Sequence, residues 1–103
     1  MILLFVLALG CTPEVADAPA QAASNYCDQA IRCAWFSESE RSDCESAADD
    51  IFAAFWEPES CPAFEPKGWD ACMDAIQSID CEHWLTQGLE DFQDTCAEER
   101  ICE

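Results

Sequence analysis

Basic residues are nearly missing from this 103-residue chain: four Lys+Arg stand against 22 Asp+Glu, for a formal net charge of −18. Without a Lys/Arg surface a protein cannot neutralise phosphates, so binding to DNA or RNA is excluded. Direct electrostatic attraction to anionic lipid fails for the same reason. Histidine occurs once, as His83, so any Ser/His/Asp or Cys/His catalytic set would have to share that imidazole. The longest wholly apolar run, Ile2 to Leu9, has eight residues. That is far short of the about 20 that a transmembrane helix needs. No two cysteines are closer than five intervening residues. The C-x2-C spacing of structural zinc sites and of thioredoxin-like redox motifs is therefore absent. The chain is also too short for more than one small domain, which leaves no room for a separate cofactor domain.

What is present in excess is cysteine. Nine in so short a chain point to a disulfide scaffold made in an oxidising compartment. The N-terminal apolar run has the length of the core of a signal peptide. It ends in Leu7-Ala8-Leu9-Gly10-Cys11, which resembles the lipobox of bacterial lipoproteins, where a small residue precedes an obligatory cysteine. The resemblance implies diacylglycerol on the Cys11 thiol, cleavage before it and acylation of the new amine. Two features depart from that pattern. Ala8 stands where Leu is favoured, and no Lys or Arg follows Met1; a start codon a few positions upstream is expected. Thr12 rather than Asp follows the cysteine, which in relatives of this signal class points to the outer membrane. The competing reading is a conventional secretory signal cut near Ala18–Ala23, discarding Cys11. Parity fits both, since removing Cys11 from pairing leaves Cys27, Cys33, Cys44, Cys61, Cys72, Cys81, Cys96 and Cys102, which can pair completely.

The expected organisation is a signal peptide over residues 1–10, a lipidated Cys11 with a flexible tether over 11–25, and a cysteine-rich helical domain over 26–103. The segment from Thr12 to Asn25 has no aromatic residue, no cysteine and much Pro and Ala, as linkers do, and part of it also reads as a frayed helix start. Beyond it the apolar period is helical. Cys27, Ile31, Ala34 and Trp35 share one face. Ser37 and Glu40 form a capping box before a second helix with Cys44, Ala47, Ala48, Ile51, Phe52 and Phe55 inward. Pro58 ends that helix near Trp56-Glu57, and Glu57 to Pro66 reads as a loop pinned by Cys61. A third helix takes Trp69, Cys72, Met73 and Ile76. Asp80 caps a fourth containing Cys81, Trp84, Leu85 and Leu89, which Gly88 ends or bends. The fold class is all-α, a small disulfide-stapled bundle of about four short helices. If helical, neither Cys27 and Cys33 nor Cys96 and Cys102 can bond to each other, because six residues of rise separate them by about 9 Å. The remaining connectivities stay open.

Taken together, Gly10-Cys11-Thr12-Pro13, the Ala/Pro segment, Tyr26-Cys27 with Cys33, Asp43-Cys44, Ala71-Cys72, Asp80-Cys81 and the closing Cys96 and Cys102 resemble the small cysteine-rich lipoproteins of myxobacteria and related delta-proteobacteria. The resemblance implies a helical, disulfide-stapled envelope protein and transfers no active site, because its motifs are spacings.

Three constellations remain. His83 lies in Cys81-Glu82-His83-Trp84, without the paired cysteines, following Asp or Gly-rich calcium loop of the disulfide-rich secreted phospholipases; it reads as a surface or helix-cap residue. The carboxylates form no D-x-[DN]-x-[DN]-G loop and read mainly as solvated helix faces, with weak calcium or cationic-partner binding as a secondary reading. Trp56 and Phe64 flank the Pro-rich loop; the favoured reading has them plug that loop onto the helices, and the other makes them the candidate partner contacts. The expectation is a non-enzymatic protein without cofactor or metal, bound to the membrane through a lipid anchor. It would bind or scaffold an unknown protein or cationic partner at the cell surface or in the periplasm. The alternative is a soluble secreted effector or inhibitor.

Overall fold

The structure, a computed structural model, describes residues 12–83 and 92–103. The signal-peptide and Cys11 readings, and the expected helix through Trp84, Leu85 and Leu89, lie outside the described residues. Four α-helices are found among those described: α1 (Ala18–Arg32), α2 (Arg41–Phe55), α3 (Pro66–Gln77) and the short α4 (Glu98–Ile101). Single 3-10 turns at Glu38–Glu40 and Cys81–His83 lead into α2 and follow α3. Among the described residues the sole β pairing is an isolated antiparallel bridge between Phe64 and Cys102. The fold is the expected all-α, disulfide-stapled bundle. None of the described helices is long and apolar enough to cross a membrane.

The start of α1 corrects the expected flexible tether. Pro19 lies in the first turn, where its missing N–H and fixed φ suit a helix. Val15, Ala18, Ala22 and Ala23 are all buried, the three alanines at 0–1% exposure. Their spacing continues through Cys27 and Ala30, also buried, so one small-residue stripe runs the length of α1. Small side chains let α1 approach α3 closely. The contact is fixed by Asn25 Nδ2 donating to Met73 Sδ at 3.0 Å and Gln29 Nε2 donating to the Ile79 carbonyl at 2.7 Å. Ordering an alanine costs little side-chain entropy, so a weakly apolar stretch can still belong to the core.

At its other end α1 stops sooner than the period through Trp35 implied. Ala34 adopts φ 64, and the N–H groups of Ala34 and Trp35 donate to the carbonyls of Ile31 and Ala30. This is a Schellman ending with alanine at the position that favours glycine. The capping box before α2 forms as expected, with the Ser37 N–H donating to Glu40 Oε1 at 2.8 Å. After Phe55 the backbone turns extended at Trp56. α3 is capped by Glu65, which accepts from the Gly68 and Lys67 N–H groups, with Pro66 as its first residue. A Cβ on Gly68 would stand 2.9 Å from the Arg100 carbonyl oxygen. Glycine there lets α3 meet α4.

All eight domain cysteines pair: Cys27–Cys44, Cys33–Cys81, Cys61–Cys102 and Cys72–Cys96, over separations of 17, 48, 41 and 24 residues. No bridge joins cysteines adjacent in the sequence, and the chain-entropy model assigns about 3–4 kcal/mol to closing each loop. α1 and α2 form an antiparallel hairpin joined by Cys27–Cys44. One end of the hairpin gathers residues 12–16 and the loop that follows α2. The opposite end carries Cys33, Phe36 and Arg41.

Candidate functional site

Trp56 and Phe64, the candidate contact residues, are buried at 2% and 4% exposure. The Trp56 indole N–H donates to the Cys96 carbonyl at 2.7 Å. Phe64 stacks on Trp69 with ring centroids 5.0 Å apart and meets Trp56 edge-on at 5.3 Å. The C-terminus holds this loop in place: the Glu65 N–H donates to the Ile101 carbonyl and the Glu103 N–H to the Ala63 carbonyl, beside Cys61–Cys102. The two aromatics plug the loop onto the helices, as the favoured reading has it, and are not exposed partner contacts. A loop rich in proline has few N–H groups of its own for water to satisfy, so returning chain closes it at little cost.

The open apolar site lies elsewhere, on the α1–α2 face. Tyr26, Phe36, Ala47, Ile51, Phe52 and Phe92 line a groove of about 190 Å³. That is slightly more than the about 150 Å³ that holds a benzene ring in an engineered cavity, and fits one large apolar side chain. Ile51, at 46% exposure, is the exposed large hydrophobic residue among those described. Tyr26 meets Phe52 and Phe92 edge-on at 6.3 and 6.2 Å, and burial pushes its phenol up to about 12. Ile51 was expected to face inward. The apolar arc of α2 is wider than its buried stripe of Cys44, Ala48 and Phe52, and Ala47 and Ile51 are the excess. That excess width is the sequence signal for the groove.

Charge borders the groove. Asp43 and Asp50 are exposed, and they are the i−4 and i+3 neighbours of Ala47, which places them along its solvent side. Among the described residues, two of the four cations are held by acids of their own. Arg41 reaches Asp28 at 2.7 Å, Glu38 at 3.0 Å and Glu45 at 3.4 Å, and Arg100 reaches Asp94 at 3.1 Å. The hydrogen bond from Arg41 holds the Glu38 carboxyl below the usual carboxylate range. Among the described residues one trio has metal-ligand spacing, Cys61, Glu98 and Cys102. Its two sulfurs are bonded to each other, and Glu98 accepts from the Glu57 N–H and the Ser60 hydroxyl. It is a structural knot with no thiolate to offer. His83 closes the 3-10 turn at Cys81–His83.

A second, shallower cleft of about 510 Å³ lies at the other end of the hairpin, where Thr12, Pro13 and Val15 face Pro58, Pro62 and Phe64.

The fold and its four staples define a small, disulfide-rich, all-α protein. The chain belongs to a family of unknown function (DUF6184), whose profile matches residues 24–103. No curated protein and no solved structure matches it.

Proposed function

We propose that this is a non-enzymatic envelope lipoprotein of the small cysteine-rich myxobacterial type. It is anchored through Cys11 to the bacterial cell envelope, at the outer membrane, and uses the Tyr26–Ile51 groove to bind a cationic, apolar-faced partner. The observation that carries the anchoring is the burial of Val15, Ala18, Ala22 and Ala23. A secretory cut near Ala18–Ala23 would remove the first half of α1 from the core, whereas a cut before Cys11 keeps the folded unit whole. The pairing of every domain cysteine supports export with Cys11 outside the disulfide set, which both cuts share. Four disulfides in one small domain fit an oxidising, extracytoplasmic compartment.

The binding role rests on the groove. An apolar slot for one side chain, with Asp43 and Asp50 beside it, suits an amphipathic helix that inserts a Leu or Phe and sets Lys or Arg against the acids. Intact mass of protein from its native membrane, alkylated without reduction, tests the anchoring. Acyl mass on a chain beginning at Cys11, with no alkylated thiol, is expected. A lipid-free chain beginning near Ser24 would make it a secreted protein and end this reading.

A further inference from the structure

We infer that the protein has no working tether and sits flush on the bilayer, with residues 12–16 and the 58–64 loop as its membrane-facing surface. The inference rests on the reading of Cys11 as the lipidated residue. Thr12 and Pro13 are half-buried and Val15 is buried, so the folded body begins at the first residue after the cysteine. Consecutive Cα atoms are about 3.8 Å apart. Thr12, the residue bonded to the acylated cysteine, itself lines the cleft with Pro13, Pro58, Pro62 and Phe64. A leash that short leaves the domain a single end to present to the lipid.

The composition of that end agrees. Pro58, Pro62 and Ala63 are exposed and uncharged, and the Ala63 carbonyl already accepts from Glu103, so this loop offers lipid few unpaired backbone groups. Glu14, Glu57 and Glu59 are also exposed nearby and give it no attraction to anionic headgroups. Contact is thus imposed by the covalent leash rather than by affinity. The antiparallel hairpin then sets the orientation. α1, with 15 residues, rises about 22 Å from the anchored end. The Phe36 side of the groove points away from the membrane, where a partner reaches it.

Neutron reflectometry on the native lipoprotein in a supported phosphatidylethanolamine/phosphatidylglycerol bilayer tests this, with intact mass taken on the same sample. A flexible run over the 14 residues from Thr12 to Asn25 would have a mean reach of about 20 Å. The expected profile instead has protein beginning at the headgroups with no hydrated gap. A variant with 20 Gly/Ser residues inserted between Cys11 and Thr12 is expected to open a gap of about 25 Å. An acylated wild-type protein set back behind a hydrated layer overturns the inference while leaving the lipoprotein reading intact, whether a second copy or an acyl chain fills the cleft. A spacer variant that stays flush overturns the claim that the leash holds it. Absence of acyl mass removes the lipoprotein reading and the inference with it.

Discussion

At the end of the hairpin that holds residues 12–16, Trp56, Phe64 and Trp69 are packed ring to ring and shut away from water. Farther along the same two helices, Tyr26, Phe36, Phe52 and Phe92 leave a slot beside a half-exposed Ile51. Both regions are aromatic, so composition does not separate them. The difference is how much returning chain covers each one. The closed end receives the C-terminal residues, the Cys61–Cys102 and Cys72–Cys96 bridges and two backbone hydrogen bonds. The groove has a bridge too, since Cys44 in its wall is bonded to Cys27, but that bridge only joins α1 to α2 and brings no third segment over Ala47 and Ile51. Closure here comes from chain that returns across the helices, held by long-range staples, and the groove is where, among the described residues, no such chain is brought.

The strongest challenge to this contrast is Trp56→Ala. Loss of a buried indole that also donates to the Cys96 carbonyl should cost about 3–5 kcal/mol in denaturant unfolding with disulfides intact. Ile51→Ser should cost less than about 1 kcal/mol. Similar costs at both sites would erase the distinction. Next is a chain that begins at Ser24, which loses the burial of one valine and three alanines. It should lose at least about 3 kcal/mol, where a dispensable tether would lose nothing measurable.

A basic Leu/Lys amphipathic peptide probes the open region. Ile51→Asp should weaken its binding about tenfold, equivalent to about 1.4 kcal/mol. Asp43→Asn with Asp50→Asn should weaken it less and flatten its salt dependence. Unchanged affinity in both variants would show that general acidity, not the groove, attracts the peptide. The smallest effect is at Tyr26, the chain's one tyrosine. Its phenolate absorbance should emerge near pH 12 rather than its ordinary 10. The folded state holds its proton after the unfolded state has lost it. Its contribution to stability is therefore full below pH 10 and is lost as pH rises towards 12. Titration near 10 would mean that the ring is solvated.

Much of the fold is legible in the sequence because its signals are local. The Ser37–Glu40 box, the Pro58 stop and the period of Trp69, Cys72, Met73 and Ile76 each act within a turn or two. The start of α1 is hidden because Ala18, Ala22 and Ala23 give the same composition as a linker, and only their neighbours across the bundle reveal the burial. Trp56 and Phe64 stay ambiguous between core and contact for a related reason. Their loop looks exposed until Ile101 and Glu103, about 40 residues away in sequence, return to pair with it. The groove needs Tyr26, Phe36, Ile51 and Phe92 from separate stretches to meet, and no local pattern encodes that meeting. The disulfide map is non-local as well, which is why spacing excluded two pairs and left the rest undecided.

The claim that the folded body starts directly after Cys11 is tested best by amide hydrogen exchange across α1, on the chain starting at Cys11. The helical amides from Ala22 to Tyr26 should be protected to the same degree as those from Cys27 to Arg32, opening together with the hairpin. Exchange before Asn25 at the rate of an unstructured peptide, with the second half of α1 still protected, would restore the flexible tether and contradict the flush arrangement.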